Sequence, residues 1–119
     1  IRKRKMDLEL EIEWKKVLEK LKSQFGDDMD VQAILFLIGV QELGKGFQIF
    51  SKDQKVEIIH VAICTLLAPL GYYEYQGMDK DGWPHWKAKT TLPALKPGEQ
   101  RALMKKTIIA YFHNRENSN

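Results

Sequence analysis

The chain has a single cysteine, Cys64, so no disulfide can form within it and nothing in the sequence marks an oxidising compartment. It also lacks any apolar run of roughly 18 residues, the length a membrane-spanning helix needs. Its longest apolar stretches, residues 33–40 and 65–70, fall far short of that, and a soluble protein is expected. The basic residues at the start are not followed by an apolar segment of signal-peptide type, because Asp7, Glu9, Glu11 and Glu13 interrupt at once. A cytoplasmic location is the expectation.

Signatures of catalysis are scarce as well. Ser51 has no G-x-S-x-G context, and Gly39, Gly44 and Gly46 form neither a P-loop nor a dinucleotide fingerprint. The turn Asp79-Lys80-Asp81-Gly82 lacks the spaced oxygen ligands and closing glutamate of a calcium loop, and reads as hairpin turn chemistry. Nucleotide enzymes are thereby disfavoured; no enzymatic activity and no cofactor are expected.

Net charge is small once its source is located. The sequence carries +3, and Arg2, Lys3, Arg4 and Lys5 supply four positive charges, which leaves −1 for residues 6–119. Residues 1–5 are expected to form a basic arm or a non-native leader outside the fold, and residues 113–119 a frayed polar tail. At 119 residues, 44% hydrophobic and 29% charged, the chain has the size and composition of one domain. A chain of this length buries about 65% of the surface exposed when unfolded, enough for a core without disulfides or structural metal. No linker composition divides it, and a single domain over residues 1–119 is expected.

What is present is mainly helical patterning. Leu10, Trp14, Val17, Leu18, Leu21 and Phe25 share one face of a helix that ends at Gly26. Its start is open to a second reading. Met6, Leu8, Leu10, Ile12 and Trp14 alternate with acidic residues at the period of a half-buried strand, so residues 6–12 can also be read as an edge strand. Asp30 and its acidic neighbours propose the start of a second helix, Val31 to Leu43, apolar almost all round and therefore central. Ser51 and Gln54 have capping-box spacing, and Val56, Ile59, Ile63, Leu66, Leu67 and Leu70 propose the inner face of a third helix.

The period then changes from 3.6 to 2. Residues 72–89 read as an antiparallel hairpin, with Pro84 restricting its second strand to a start or an edge, and a final helix runs from Gly98 to about Phe112. The fold class expected is α+β, mainly helical: three helices, an aromatic hairpin and a closing helix.

Three constellations are candidates for function. Glu57, His60 and Cys64 lie along one stripe of the third helix, and with His85 or Glu42 they offer a set of metal ligands, although the spacing matches no established zinc pattern. As a nucleophile and base, Cys64 and His60 are undercut by the apolar neighbours of the cysteine, which suit a packing residue beside a hydrogen-bonded histidine. Glu42 falls on a face that should be interior, at a helix end where the macrodipole disfavours its charge, so a pairing with His60 is expected to compensate it.

The hairpin is the strongest clue. Tyr72, Tyr73, Tyr75, Trp83 and Trp86 place five of the twelve aromatic rings within fifteen residues. Strict alternation puts Tyr73, Tyr75 and Gly77 on one side of the first strand. On the second it sets Trp83, His85 and Lys87 opposite Pro84, Trp86 and Ala88, giving each face a tryptophan. Helices of a chain this small can cover one face, which leaves the other for a partner. Partner-binding residues are therefore expected among Tyr73, Tyr75, Trp83, His85, Trp86 and Lys87, with another protein or a second copy as the partner. Two alternatives stand: RNA or DNA binding by the basic arm with Trp and Tyr stacking, and a small metal or ligand site at His60, Cys64 and Glu42. The sequence carries the motif set of no functionally characterised family.

Overall fold

Asp30 opens the central helix as its sequence implies: the carboxylate accepts from the Ala33 amide at 2.8 Å, and the helix runs Val31–Leu43 (α2). In this computed structural model residues 2–44, 48–89 and 95–117 are described, with side chains from 8–44, 48–89 and 95–115. Among them, α1 (Arg2–Phe25) precedes α2, and α3 (Lys52–Leu67) and a 3-10 turn (Ala68–Leu70) follow. The antiparallel strands β1 (Tyr73–Met78) and β2 (Pro84–Ala88) come next, and α4 (Pro97–Asn117) closes the chain. The α+β, mainly helical class stands. No helix among the described residues is long and apolar enough to cross a membrane.

The chain divides into two compact units. One consists of residues 30–93; the other joins residues 1–29 to 94–119 and is discontinuous in sequence.

In the unit of residues 30–93, α2 is the buried element, with Ile34 and Ile38 wholly inaccessible and Leu35, Leu37, Val40 and Leu43 nearly so. Burial of each such side chain contributes about 1.5–3 kcal/mol. The helix packs on α3 at Gly39, where a Cβ would stand 2.2 Å from the Ile58 carbonyl oxygen and 2.6 Å from its Cγ2. Only a residue without a side chain permits that approach. The contact selects the inner face of α3: Ile58, Val61, Ala62, Cys64, Leu66 and Leu67 are buried, whereas Val56 and Leu70, expected inside, are exposed. At the start of α3 the capping box is complete, Ser51 Oγ accepting from the Gln54 amide at 3.2 Å and Gln54 Oε1 from the Ser51 amide at 2.9 Å.

The other unit is a pair of helices. Trp14, Leu21 and Ile108 are buried, and Lys105 joins α4 to α1 by donating to Glu11 Oε1 at 2.8 Å while lying 5.8 Å from the centre of the Trp14 ring. The edge strand proposed for residues 6–12 does not form; they belong to α1. Met, Leu and Glu are strong helix formers, and residues 6–13 contain little else, so the strand-like alternation loses to propensity and to continuity with residues 14–25. Residues 2–5 continue the same helix, and α4 extends to Asn117, past the end expected near Phe112.

Candidate functional site

The hairpin is closed by Asp79. Its Oδ1 accepts the amide protons of Asp81 at 2.9 Å and Trp83 at 3.0 Å, and its Oδ2 lies 2.9 Å from His85 Nε2. The Trp83 amide first, and then the His85 side chain, hold the Asp79 carboxyl below its ordinary value. Asp79 also exchanges backbone bonds across the loop, donating to the Trp83 carbonyl at 2.9 Å and accepting from Gly82 at 3.0 Å. Gly82 takes φ +82°, the left-handed residue that a three-residue hairpin loop of this kind requires. One aspartate thus fixes the loop and the direction in which Trp83 leaves it.

Trp83 leaves it toward the core. With Phe36 it packs on the buried cluster of Val40, Leu43, Phe50 and Ile58. It serves as the anchor between hairpin and helices, and is half-buried in that role.

Beyond the turn, strict alternation fails at Gln76. Tyr75 pairs with Trp86, but Gly77, not Gln76, pairs with His85, and Met78 pairs with Pro84. Gln76 is the extra residue of a β-bulge, and the inserted residue exchanges the faces of all that follows it on β1. Tyr73, Tyr75, Met78, Pro84, Trp86 and Ala88 therefore share one side, and Glu74, His85 and Lys87 the other. The expected ribbon with a tryptophan on each face is replaced by an apolar face and a polar face, because Trp83 stands before the paired strand and Met78 takes the place assigned to Gly77.

The apolar face is partly covered. Tyr73 is half-buried and meets the His60 ring edge-on at 6.3 Å between centroids, which joins the hairpin to α3. Trp86 is half-buried, its ring 5.3 Å from that of Tyr75. Toward the turn the cover ends: Tyr75 is 50% and Met78 54% exposed. Leu70, in the 3-10 turn that packs against β1, is exposed too. Trp86 Nε1 is buried without a hydrogen-bond partner among the described residues. Such a donor costs about 1–3 kcal/mol when left unpaired. The polar face is internally neutralised, with Glu74 3.6 Å from Lys89 and Asp79 beside His85.

The other candidate residues are not drawn into a site. Cys64 Sγ lies 3.5 Å from His60 Nε2, the packing arrangement expected, and burial pushes the Cys64 thiol up to about 11. A thiol of that character is protonated near neutrality and suited neither to attack nor to metal capture. Glu57 is exposed, and among the described residues no three His, Cys, Asp or Glu side chains converge on a point where a metal ion could sit. Glu42 is half-buried, and the ring of His60 meets Cys64 and Tyr73.

Of the six residues expected to bind a partner, the structure brings Tyr73, Tyr75 and Trp86 onto one face, sets His85 and Lys87 on the other and commits Trp83 to the core. Met78 and Leu70 were missed. Gly77 was the available signal for Met78, since a glycine inside a strand pattern often marks a bulge. Searches against family models, curated proteins and solved structures return no match to this chain.

Proposed function

We propose that this is a small non-enzymatic protein that acts by binding another protein through the Tyr75, Met78 and Trp86 face of its hairpin. The observation that carries the reading is the uncovered end of that face: an aromatic ring and a methionine, each about half exposed, beside a tryptophan whose buried N–H has no partner among the described residues. Tyrosine and tryptophan are the residue types that concentrate binding energy in protein interfaces, and methionine adapts its shape to a partner. A partner that seats on this face and offers an acceptor to a slightly shifted Trp86 ring relieves the unpaired donor as it buries the apolar surface.

The neutralised polar face supports a protein partner over nucleic acid. Strand binding needs a basic groove threaded between the stacking rings, whereas here Lys89 is tied to Glu74, and His85 to Asp79. The raised thiol of Cys64 speaks against covalent catalysis at the most reactive residue type in the chain. We take the protein to be cytoplasmic, in keeping with a lone, buried cysteine.

The test begins with capture from extract of the native cells on immobilised wild type and a Tyr75→Ser/Met78→Ser variant, followed by purification of any protein that only the wild type retains. Direct titration of that protein should give an affinity that survives high salt and falls at least tenfold in the variant. Equal binding by both chains, or an affinity that collapses with salt and follows bound RNA, contradicts the proposal.

A further inference from the structure

The hairpin ladder leaves one row of backbone groups without a strand to bond among the described residues. At one end of the ladder Lys89 donates to the Tyr72 carbonyl at 3.0 Å, and at the other Asp79 donates to the Trp83 carbonyl at 2.9 Å. Bonded pairs alternate with non-bonded ones in an antiparallel ladder, so the register makes Glu74 with Lys87 and Gly77 with His85 bonded pairs, whichever end is counted from. The amides and carbonyls of Trp86 and Ala88, with the carbonyl of Pro84, therefore point away from β1. Pro84, which has no amide proton, falls where β1 asks for none.

That outer edge of β2 is open. β1 packs on the 3-10 turn and α3 as well as on β2, whereas β2 has no neighbour of comparable extent besides β1, and the sheet has two strands among the described residues. A two-stranded ribbon is marginal in water, and its unpaired edge is a template for a further strand.

Side chains along β2 state what kind of strand fits. Trp86 and Ala88 stand on the apolar side and His85, Lys87 and Lys89 on the other, with no acidic residue between 84 and 89. The carboxylates that balance the polar face, those of Glu74 and Asp79, belong to β1 and the turn, one strand farther from the edge. Glu74, opposite Lys87, is engaged by Lys89 at 3.6 Å and by Gln76 at 3.1 Å, and Lys87 makes no ion pair among the described residues. A second copy of β2 would set basic side chains against basic ones. A strand that alternates apolar with acidic residues instead lays the first over Trp86 and Ala88 and the second beside His85 and Lys87.

We propose that the hairpin receives its protein partner by strand addition: an extended segment of the partner, alternating apolar and acidic side chains, hydrogen-bonds along the free edge of β2. This rests on the reading of the Tyr75, Met78 and Trp86 face as a binding surface, and names what the partner presents to it. Bonds to the main chain of Trp86 and Ala88 supply affinity, while the basic row and the Trp86 ring select the sequence.

The probe is a phage-displayed library of random peptides of about twelve residues, selected on the immobilised full chain, with the enriched peptides then synthesised and titrated. Enriched sequences should alternate apolar with acidic residues, and the Trp86 and Ala88 amides should become protected from hydrogen exchange on binding. Methylating alternate peptide nitrogens should abolish binding in one phase of the alternation and spare it in the other, a readout that does not depend on any variant folding. Ala88→Pro, which removes an outward amide and no internal bond, should weaken binding by about tenfold or more. Lys87→Glu should turn the selected preference from acidic to basic. No enriched peptide, no phase dependence in the methylated series, or unchanged affinity in both variants overturns strand addition; if Tyr75→Ser/Met78→Ser still abolishes binding, the face stands as a docking surface of another kind. Binding that is lost at the edge yet ignores Tyr75→Ser/Met78→Ser supports strand addition and overturns the assignment of the face.

Discussion

The contact between α2 and α3 and the apolar face of the hairpin lie in one compact unit, yet they use apolar residues in opposite ways. At the helix contact the fit is close enough to demand glycine: Gly39 meets the backbone of Ile58, and Ile34, Ile38 and Ile58 are wholly enclosed. On the hairpin, cover runs out between Tyr73, which rests on His60, and Met78, which is more than half exposed. The difference separates residues that hold the fold from residues the fold holds out. Trp83 packs on the core cluster, and Trp86, three positions on, is half-buried beside the exposed Tyr75.

The largest expected effect is at the helix contact. Gly39→Ala places a methyl group against a carbonyl that cannot rotate aside, and should destabilise the unit by about 3 kcal/mol or more, read by urea unfolding. A wild-type midpoint would show that α2 and α3 are not packed this closely. Next comes Trp83→Ala, which removes the ring that seats the hairpin on Val40, Leu43, Phe50 and Ile58 and should cost about 2–3 kcal/mol, below the roughly 3–5 kcal/mol of a fully buried aromatic because the ring is only half-buried. Ser51→Ala breaks the capping box of α3 and should cost about 1 kcal/mol, with far-ultraviolet circular dichroism of the native state unchanged.

The comparison also explains what could be read in advance. The bounds of α2 and the cap of α3 are local chemistry, an aspartate and a Ser-x-x-Gln that bond to nearby amides, and such chemistry is visible without a fold. The inner face of α3 was displaced because it is chosen by the close approach at Gly39, a contact between residues 39 and 58. The strand reading of residues 6–12 followed a true alternation, overridden by helix propensity that periodicity alone does not weigh. On the hairpin, the concentration of rings was evident, but the distribution of faces depended on one extra residue at Gln76. A bulge reverses every assignment beyond it, which is why Met78 was missed and Gly77 misplaced.

Acid provides a gentler way to separate anchor from outer face. Because the Asp79 carboxyl is held below its ordinary 3.8, the stability it lends is present above that value and is lost as pH falls through its lower folded-state value. Tryptophan fluorescence should accordingly report Trp83 loosening from the core only in strong acid, and Asp79→Asn, which keeps one amide acceptor but no charge, should remove that transition. An unchanged acid transition in Asp79→Asn would assign it to other carboxyl groups.

The smallest effect is the most telling. If the face of Tyr75 and Met78 is held out for a partner, Tyr75→Ser/Met78→Ser should unfold in urea within about 0.5 kcal/mol of wild type, as surface substitutions do, while Trp83→Ala loses several times as much. Near-equal losses in the two variants would mean that the exposed end of the hairpin is part of the core, and would contradict the assignment of this face to binding.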